Sequence, residues 1–297
     1  MSEYVITCSS TYDLNNEFAQ KNNITVLPYQ YFIDGNEYYD DKTSDSLTIH
    51  DFYEKMRQGG VATTSMVNTE RYTDFFTPFL EAGKDVIHIE FSSGLSGSYN
   101  NALMTAEQLR EKYPDRKIAI LDSLAASPGY GLLVYYAIQK RNEGMSFGAL
   151  CKYVDELKYK IIHWFAVDNL EYLRRGGRVS RASAFLGTML NIKPVLAFNN
   201  EGKIIPVEKI RGRKKSLIDM IDKMEKDIDN PDGQMVFIGH ADAEEDAKMV
   251  EGVIKERFPT IKGTYIDLIG PVIGAHAGPS TIAIFYIGKQ RVDKEFK

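Results

Sequence analysis

Two rhythms of apolar and polar residues alternate along this chain, and the switches between them outline the fold. Tyr4-Val5-Ile6-Thr7 is a short β-rich run that ends in a polar turn, Ser9-Ser10-Thr11. Ile24 to Ile33 reads as a second strand, followed by a hydrated loop at Asp34-Gly35-Asn36-Glu37 and an acidic, hydroxyl-rich stretch to Ser46. Helical spacing resumes at Phe52 and Met56. Tyr72, Phe75, Phe76, Phe79 and Leu80 then mark one face of a helix over 69–82, which Gly83 ends. Val86 to Phe91 is a strand, Ser93 to Ser98 a tight loop and Tyr99 to Tyr113 a helix. Lys117 to Leu121 is the next strand, and a helix follows toward Arg141. Strands separated by helices of this length predict a mainly parallel sheet covered on both faces.

The pattern changes near Ile161. Trp164 to Val167 reads as a strand, and Ile192 to Phe198 with Lys203 to Ile210 flank Asn199-Asn200-Glu201-Gly202 as a β-hairpin. A helix (Lys214 to Ile228), a strand (Gln234 to His240), a helix (Ala243 to Phe258), a strand (Gly263 to Leu268) and a last strand (Thr281 to Ile287) complete the pattern. The expectation is an α/β protein of two α/β domains. Residues 1–160 would carry a mainly parallel sheet under helices, and residues 161–297 a mixed sheet with helices.

Composition narrows the class. Of 297 residues, 43% are hydrophobic and 26% charged, which excludes disorder and coiled coil. With 36 Lys plus Arg against 41 Asp plus Glu, the net charge of -5 opposes a broad electrostatic grip on nucleic acid or anionic membrane. Apolar runs such as Gly131 to Ile138 fall far short of the ~20 residues a spanning helix needs, so no stable membrane insertion is expected. Two cysteines, Cys8 and Cys151, and an opening without a basic, apolar leader point to the cytoplasm.

Three expected strands run straight into serine: Thr7-Cys8-Ser9-Ser10, Phe91-Ser92-Ser93-Gly94 and Leu121-Asp122-Ser123. In a parallel sheet these ends share one edge, where ligands of open α/β sheets bind and helix N-termini offer free N–H groups. Any one such serine could simply cap a helix, but their convergence favours a site for an anion. Ser92-Ser93-Gly94-Leu95-Ser96-Gly97-Ser98-Tyr99 is the densest of these loops, with glycines for close approach and hydroxyls to donate. A hydrolase nucleophile is the rival reading. Gly94-Leu95-Ser96-Gly97-Ser98 misses the nucleophile-elbow pattern at its last position, and no acid and histidine follow at a spacing that compels a triad.

His276 lies in a glycine-punctuated loop between two apolar strands and is a ligand candidate. His50, His88, His163 and His240 are dispersed, without a second histidine or cysteine pair beside them, so no metal site is expected, and His88 reads as packing. Arg174-Arg175-Gly176-Gly177-Arg178-Val179-Ser180-Arg181 offers guanidinium forks for a carboxylate or phosphate, or else a solvated basic turn. A second basic run, Lys209 to Lys215, could touch RNA, a phosphate or an acidic protein. The acidic chain and the lack of interleaved aromatics make nucleic acid the weakest of these.

Taken in order, these motifs resemble the DegV family of bacterial fatty-acid-binding proteins. The matching stretches are Ile6-Thr7-Cys8-Ser9-Ser10, Thr63-Thr64-Ser65, Ser92 to Tyr99, Asp122-Ser123, Gly176-Gly177-Arg178-Val179-Ser180, Ile192 to Leu196, and Gly270-Pro271-Val272 with His276. The chain departs from the family's usual residues at Cys8 and at Met66-Val67. The resemblance implies a non-catalytic carrier that encloses one long-chain acyl tail between two α/β domains and needs no other cofactor. It implies that Thr64, Ser93 and Ser96 hold the carboxylate, joined by Arg178 and His276. By the same likeness a separate ATP-using fatty acid kinase would phosphorylate the bound acid for phospholipid synthesis, docking at Arg211, Arg213, Lys214 and Lys215. The alternative is a stand-alone esterase using Ser93 or Ser96. Phe91, Leu95, Phe185, Leu186, Met189 and Leu190 are candidates for the tail pocket and equally plausible as plain core.

Overall fold

The computed structural model describes residues 4–41, 47–179 and 191–292. In chain order, the first half carries β1 (Tyr4–Ser9), α1 (Asn16–Lys21), β2 (Thr25–Leu27), β3 (Gln30–Ile33), β4 (Asn36–Tyr39) and α2 (Ile49–Arg57). Then come β5 (Ala62–Thr64), α3 (Thr69–Glu81), β6 (Asp85–Glu90), α4 (Ser98–Lys112), β7 (Ile118–Asp122), α5 (Ser127–Asn142) and α6 (Phe147–Leu157). The second half begins with β8 (Ile161–Ala166), α7 (Glu171–Arg175), β9 (Ile192–Phe198) and β10 (Ile204–Arg211). It continues through α8 (Arg213–Asp227), β11 (Met235–His240), α9 (Glu244–Arg257), β12 (Gly263–Leu268), α10 (Pro271–Ala277) and β13 (Ile282–Ile287).

The expected parallel sheet is present in the order β2-β1-β6-β7, with every pairing parallel. All six residues of β6 are buried, as a strand covered on both faces requires. The second sheet is mixed, in the order β10-β9-β8-β13-β11-β12, with only β11 and β12 parallel. The molecule is therefore α/β, with one parallel and one mixed sheet.

Three expectations need correction. Ile24 to Ile33 is not one strand: Pro28, which has no N–H to donate, separates β2 from β3, and β3 joins β4 and β5 in a small antiparallel sheet. The supposed hydrated loop is the tight turn of that hairpin, where Asp34 (φ 53) and Gly35 (φ 78) both take the left-handed conformation. The segment around His276 is not a loop but the helix α10, with Pro271 in its first turn and Gly278 (φ 83) just beyond its end. Its glycines disguised a helix that packs on other elements instead of facing water. Helix α6 and the short β5 were also unforeseen.

Helix α5 joins the two sheets. Residues 127–134 are buried all round, so α5 shows no polar stripe. One apolar cluster runs from Ile6, Ile87 and Ile89 on the parallel sheet through Leu132, Leu133 and Ala137 of α5 to Phe165, Leu196, Phe237 and Phe285 on the mixed sheet. The traffic also runs the other way: Ile269, Val272 and Ala275 of the second half pack into the cluster of Tyr53, Met56 and Tyr72. α5 lies close to its surroundings because Gly131 has no side chain. A β-carbon there would stand 2.7 Å from both the Leu14 side chain and the Tyr12 carbonyl oxygen. Gly131→Ala is expected to lower stability by about 1–3 kcal/mol through overpacking, read as a reduced urea midpoint at unchanged slope.

Candidate functional site

A cavity with about 790 Å³ of empty space, part of it open to solvent, lies between the edge of the parallel sheet and the face of the mixed sheet. Its wall is largely apolar and aromatic: Phe91 and Leu95 follow β6, Phe165, Phe198 and Phe285 come from the mixed sheet, and Ile204 opens β10. Alternation along β8, β9 and β13 puts these side chains on one face. Phe91 and Leu95 thus stand where the tail-pocket expectation has them. Phe185, Leu186, Met189 and Leu190 lie outside the described residues.

Polar groups gather at one part of this wall. Thr64 ends β5 and sits 2.8 Å from Nε2 of His276, with Thr64 Oγ1 as partner. Arg178 follows a turn in which Gly177 adopts φ 71. Its Nε donates to the Leu95 carbonyl at 3.2 Å and its Nη1 to the Gly176 carbonyl at 2.5 Å. Among the described residues no carboxylate pairs with this guanidinium, and burial lowers its pKa. Gly176 itself lets the turn approach α10, since a β-carbon there would stand 2.1 Å from His276 Nδ1. Burial, then the positive charges of Arg178 and Arg175, push the His276 pKa down from 6.5 to about 4. His276 is therefore neutral at pH 7.

The tautomer follows from the surroundings. Nδ1 of His276 is buried with no partner among the described residues, and a buried N–H without an acceptor is rarer and costlier than a bare lone pair. We therefore assign the hydrogen to Nε2, which donates to Thr64 Oγ1. The hydroxyl hydrogen of Thr64 is left free to donate elsewhere. The site thus offers a hydroxyl donor and the remaining N–H groups of a half-buried cation, a combination suited to an oxyanion.

Of the five residues expected at a carboxylate site, Thr64, Ser96, Arg178 and His276 all line this cavity. Ser93 does not line it, and its backbone N–H donates to Asp122 Oδ1 at 3.1 Å. Ser96 Oγ donates to Ser98 Oγ at 3.0 Å. Neither Ser93 nor Ser96 meets a histidine among the described residues, and no acid faces His276 Nδ1, so the parts of a hydrolytic triad are not assembled.

The remaining basic residues divide in a way the sequence did not reveal. Arg174 is exposed and pairs with Glu171 at 2.7 Å, Arg175 lies over the Tyr172 ring, and Arg181 lies outside the described residues. In the second run Arg213 is engaged with Asp246 at 2.8 Å and with the Ser280 carbonyl, while Arg211, Lys214 and Lys215 are exposed. His88 is more than packing, because it bonds Thr7 and Glu90 inside the protein. Nothing in the sequence pattern marked Phe165, Phe198 or Phe285 as cavity residues. Strand alternation could have grouped them only once the order of strands was known.

The fold and the site together define an α/β protein with one parallel and one mixed sheet and, between them, a largely apolar cavity that carries polar groups and a cation on one part of its wall. Residues 3–289 match the model of the DegV family, a family described as uncharacterised proteins. This chain belongs to the DegV family. A DegV domain-containing protein of Clostridium perfringens is 42% identical over 288 residues, covering 97% of this chain and 98% of that one. A DegV family protein from Thermus thermophilus, described for its fatty acid binding, superimposes with a TM-score of 0.87 at 26% identity over 97% of this chain and all of its own. A stearic acid-binding protein from Eubacterium ventriosum gives a TM-score of 0.84 at 26% identity, over 96% of this chain and 98% of its own.

The depressed His276 pKa has a consequence for stability. Between pH 6.5 and about 4 the unfolded chain takes up a proton at this position that the folded chain refuses. The contribution is complete above pH 6.5 and is lost as the pH falls toward 4. It amounts to at most about 3 kcal/mol. Urea midpoints across this window should fall more steeply toward acid for the wild type than for His276→Gln.

Proposed function

We propose that this protein binds one long-chain fatty acid in the cavity, with the carboxylate at Thr64, Arg178 and His276 and the tail among the phenylalanines. The observation that carries the reading is a half-buried guanidinium with no carboxylate partner among the described residues, set beside a free hydroxyl donor on the wall of a largely apolar cavity. A C16 tail buried at about 0.8 kcal/mol per methylene supplies on the order of 10 kcal/mol before the entropic cost of binding. The carboxylate needs compensation for leaving water, which Arg178 and the Thr64 hydroxyl supply. A neutral His276 fixes Thr64 and adds no second positive charge. Ser96 borders the same space, its hydroxyl shared with Ser98. The fatty acid binding described for the solved relatives supports this reading.

In this reading the chain is a carrier and not a catalyst. Residues 1–160 act as the domain supplying Thr64 and Ser96, and residues 161–297 as the domain supplying Arg178 and His276. No described helix is long and apolar enough to cross a membrane, in keeping with a protein working in the cytoplasm. The family resemblance adds a kinase that phosphorylates the bound carboxylate. Arg211, Lys214 and Lys215 at the junction of β10 and α8 suit a charge-steered encounter with it, whereas Arg213 is already engaged.

Mass spectrometry of the purified protein, native and after organic extraction, tests the reading. A stoichiometric C14 to C18 acid is expected. Arg178→Gln should weaken binding about tenfold to a hundredfold, the effect of losing a charged hydrogen bond. A wild-type protein that arrives empty and takes up neither palmitic nor oleic acid would overturn the reading, and ester hydrolysis sensitive to Ser96→Ala would replace it.

A further inference from the structure

Strand register sets one end of the cavity. Phe285 of β13 is paired with His163 of β8, and Ile204 of β10 with Phe198 of β9. The His163 ring stacks on Phe198 with centroids 4.4 Å apart and meets Phe285 edge-on at 5.2 Å. Ile204, Phe198, His163 and Phe285 therefore form one row across four strands, and all four line the cavity. Ile161 and Ile287, the register pair two residues further along the same face, do not line it. On this face of the mixed sheet the lining thus ends at the row. The start of α5 presses against it: a β-carbon at Gly129 would stand 2.5 Å from both His163 Nε2 and Phe285 Cδ1.

A histidine suits this apolar wall because backbone groups occupy its nitrogens. Nδ1 lies 3.1 Å from the Ile161 carbonyl oxygen, which can only accept, so Nδ1 carries the hydrogen. Nε2 keeps a lone pair, 3.5 Å from the Ala126 N–H. Burial, then the positive charge of Arg291, holds the ring well below its usual pKa, so it adds no charge to the wall.

The approach to the row follows β13. Thr281 stands just before that strand, and Ala283 and Phe285 follow at two-residue spacing, all three on the cavity wall. Thr281 Oγ1 donates at 3.0 Å to the carbonyl of Ala277, the residue after His276, which places it at the head-group part of the wall. From there the side chains run small, small, large over about 13 Å of strand.

We propose that Phe285, with His163 and Phe198 beside it, is the stop that sets the longest acyl chain this protein accepts, the tail passing over Thr281 and Ala283 to end against the rings. The inference rests on the fatty-acid reading above and adds to it a limit on chain length.

Titration with straight-chain saturated acids of even length, from decanoic to docosanoic, tests it. Below the limit each buried methylene should tighten wild-type binding about fourfold, and beyond it affinity should fall. Phe285→Ala opens the end of the channel and moves the tightest-binding length to longer acids. The acid two carbons past the wild-type limit should bind that variant about tenfold more tightly than it binds the wild type. Ala283→Leu fills the channel before the row and moves the tightest-binding length to shorter acids, so it decides the matter if Phe285→Ala does not fold. A tightest-binding length unmoved in a folded variant, or equal weakening at every length, overturns the inference while the wild type still binds fatty acid. A wild type that binds no acid of any length overturns the fatty-acid reading itself.

Discussion

A carboxylate taken wholly out of water must be met by donors held in place, and Glu90 imposes that demand on the edge of the parallel sheet. Its partners come from separate segments: Ser9 closes β1, Tyr29 follows β2, Tyr72 lies on α3, and His88 and the Phe91 N–H belong to the region of β6 itself. Removing one partner leaves a buried charge short of compensation, which typically costs several kcal/mol. The ends of these strands are therefore not free to drift. The loops that border the cavity therefore start from fixed points.

The cavity follows the opposite logic. Arg291 shows how this protein buries a guanidinium for stability, with donations to the carbonyls of Ile161, Leu124, Asn199 and Lys158. Among the described residues Arg178 meets two carbonyls, and Thr64 keeps a hydroxyl hydrogen unspent. Polar groups left short of partners beside an apolar cavity lower the stability of the empty protein and raise its affinity for an anionic, amphipathic ligand. His276 serves this arrangement by staying neutral, since a second buried positive charge beside Arg178 would be repelled by it.

Much of the fold could be read from local pattern, and the failures are instructive. The all-buried β6 and the amphipathic α3 announce themselves because their periodicity reflects burial on two faces or on one. The run from Ile24 to Ile33 misled because its apolar residues continue across Pro28 while the chain passes from one sheet to another. Around His276, glycines that read as loop signals are packing devices: a β-carbon at Gly274 would stand 2.4 Å from the Tyr53 hydroxyl. Ser93 and Ser96 looked equivalent in the sequence, yet only Ser96 reaches the cavity.

What the sequence determined by itself is most of the longer elements, the α/β class and the kinds of group available to a site, because those follow from the spacing of apolar residues and from side-chain chemistry. The family likeness, carried by short motifs in fixed order, was legible there too. Only the tertiary structure decided which groups meet. Thr64 and His276 are 212 residues apart in the chain and 2.8 Å apart in space. It also decided which basic residues are engaged, that His276 is neutral, and that Glu90 is a supplied anion. Each of these depends on burial and on partners from distant segments, and local spacing carries no record of either.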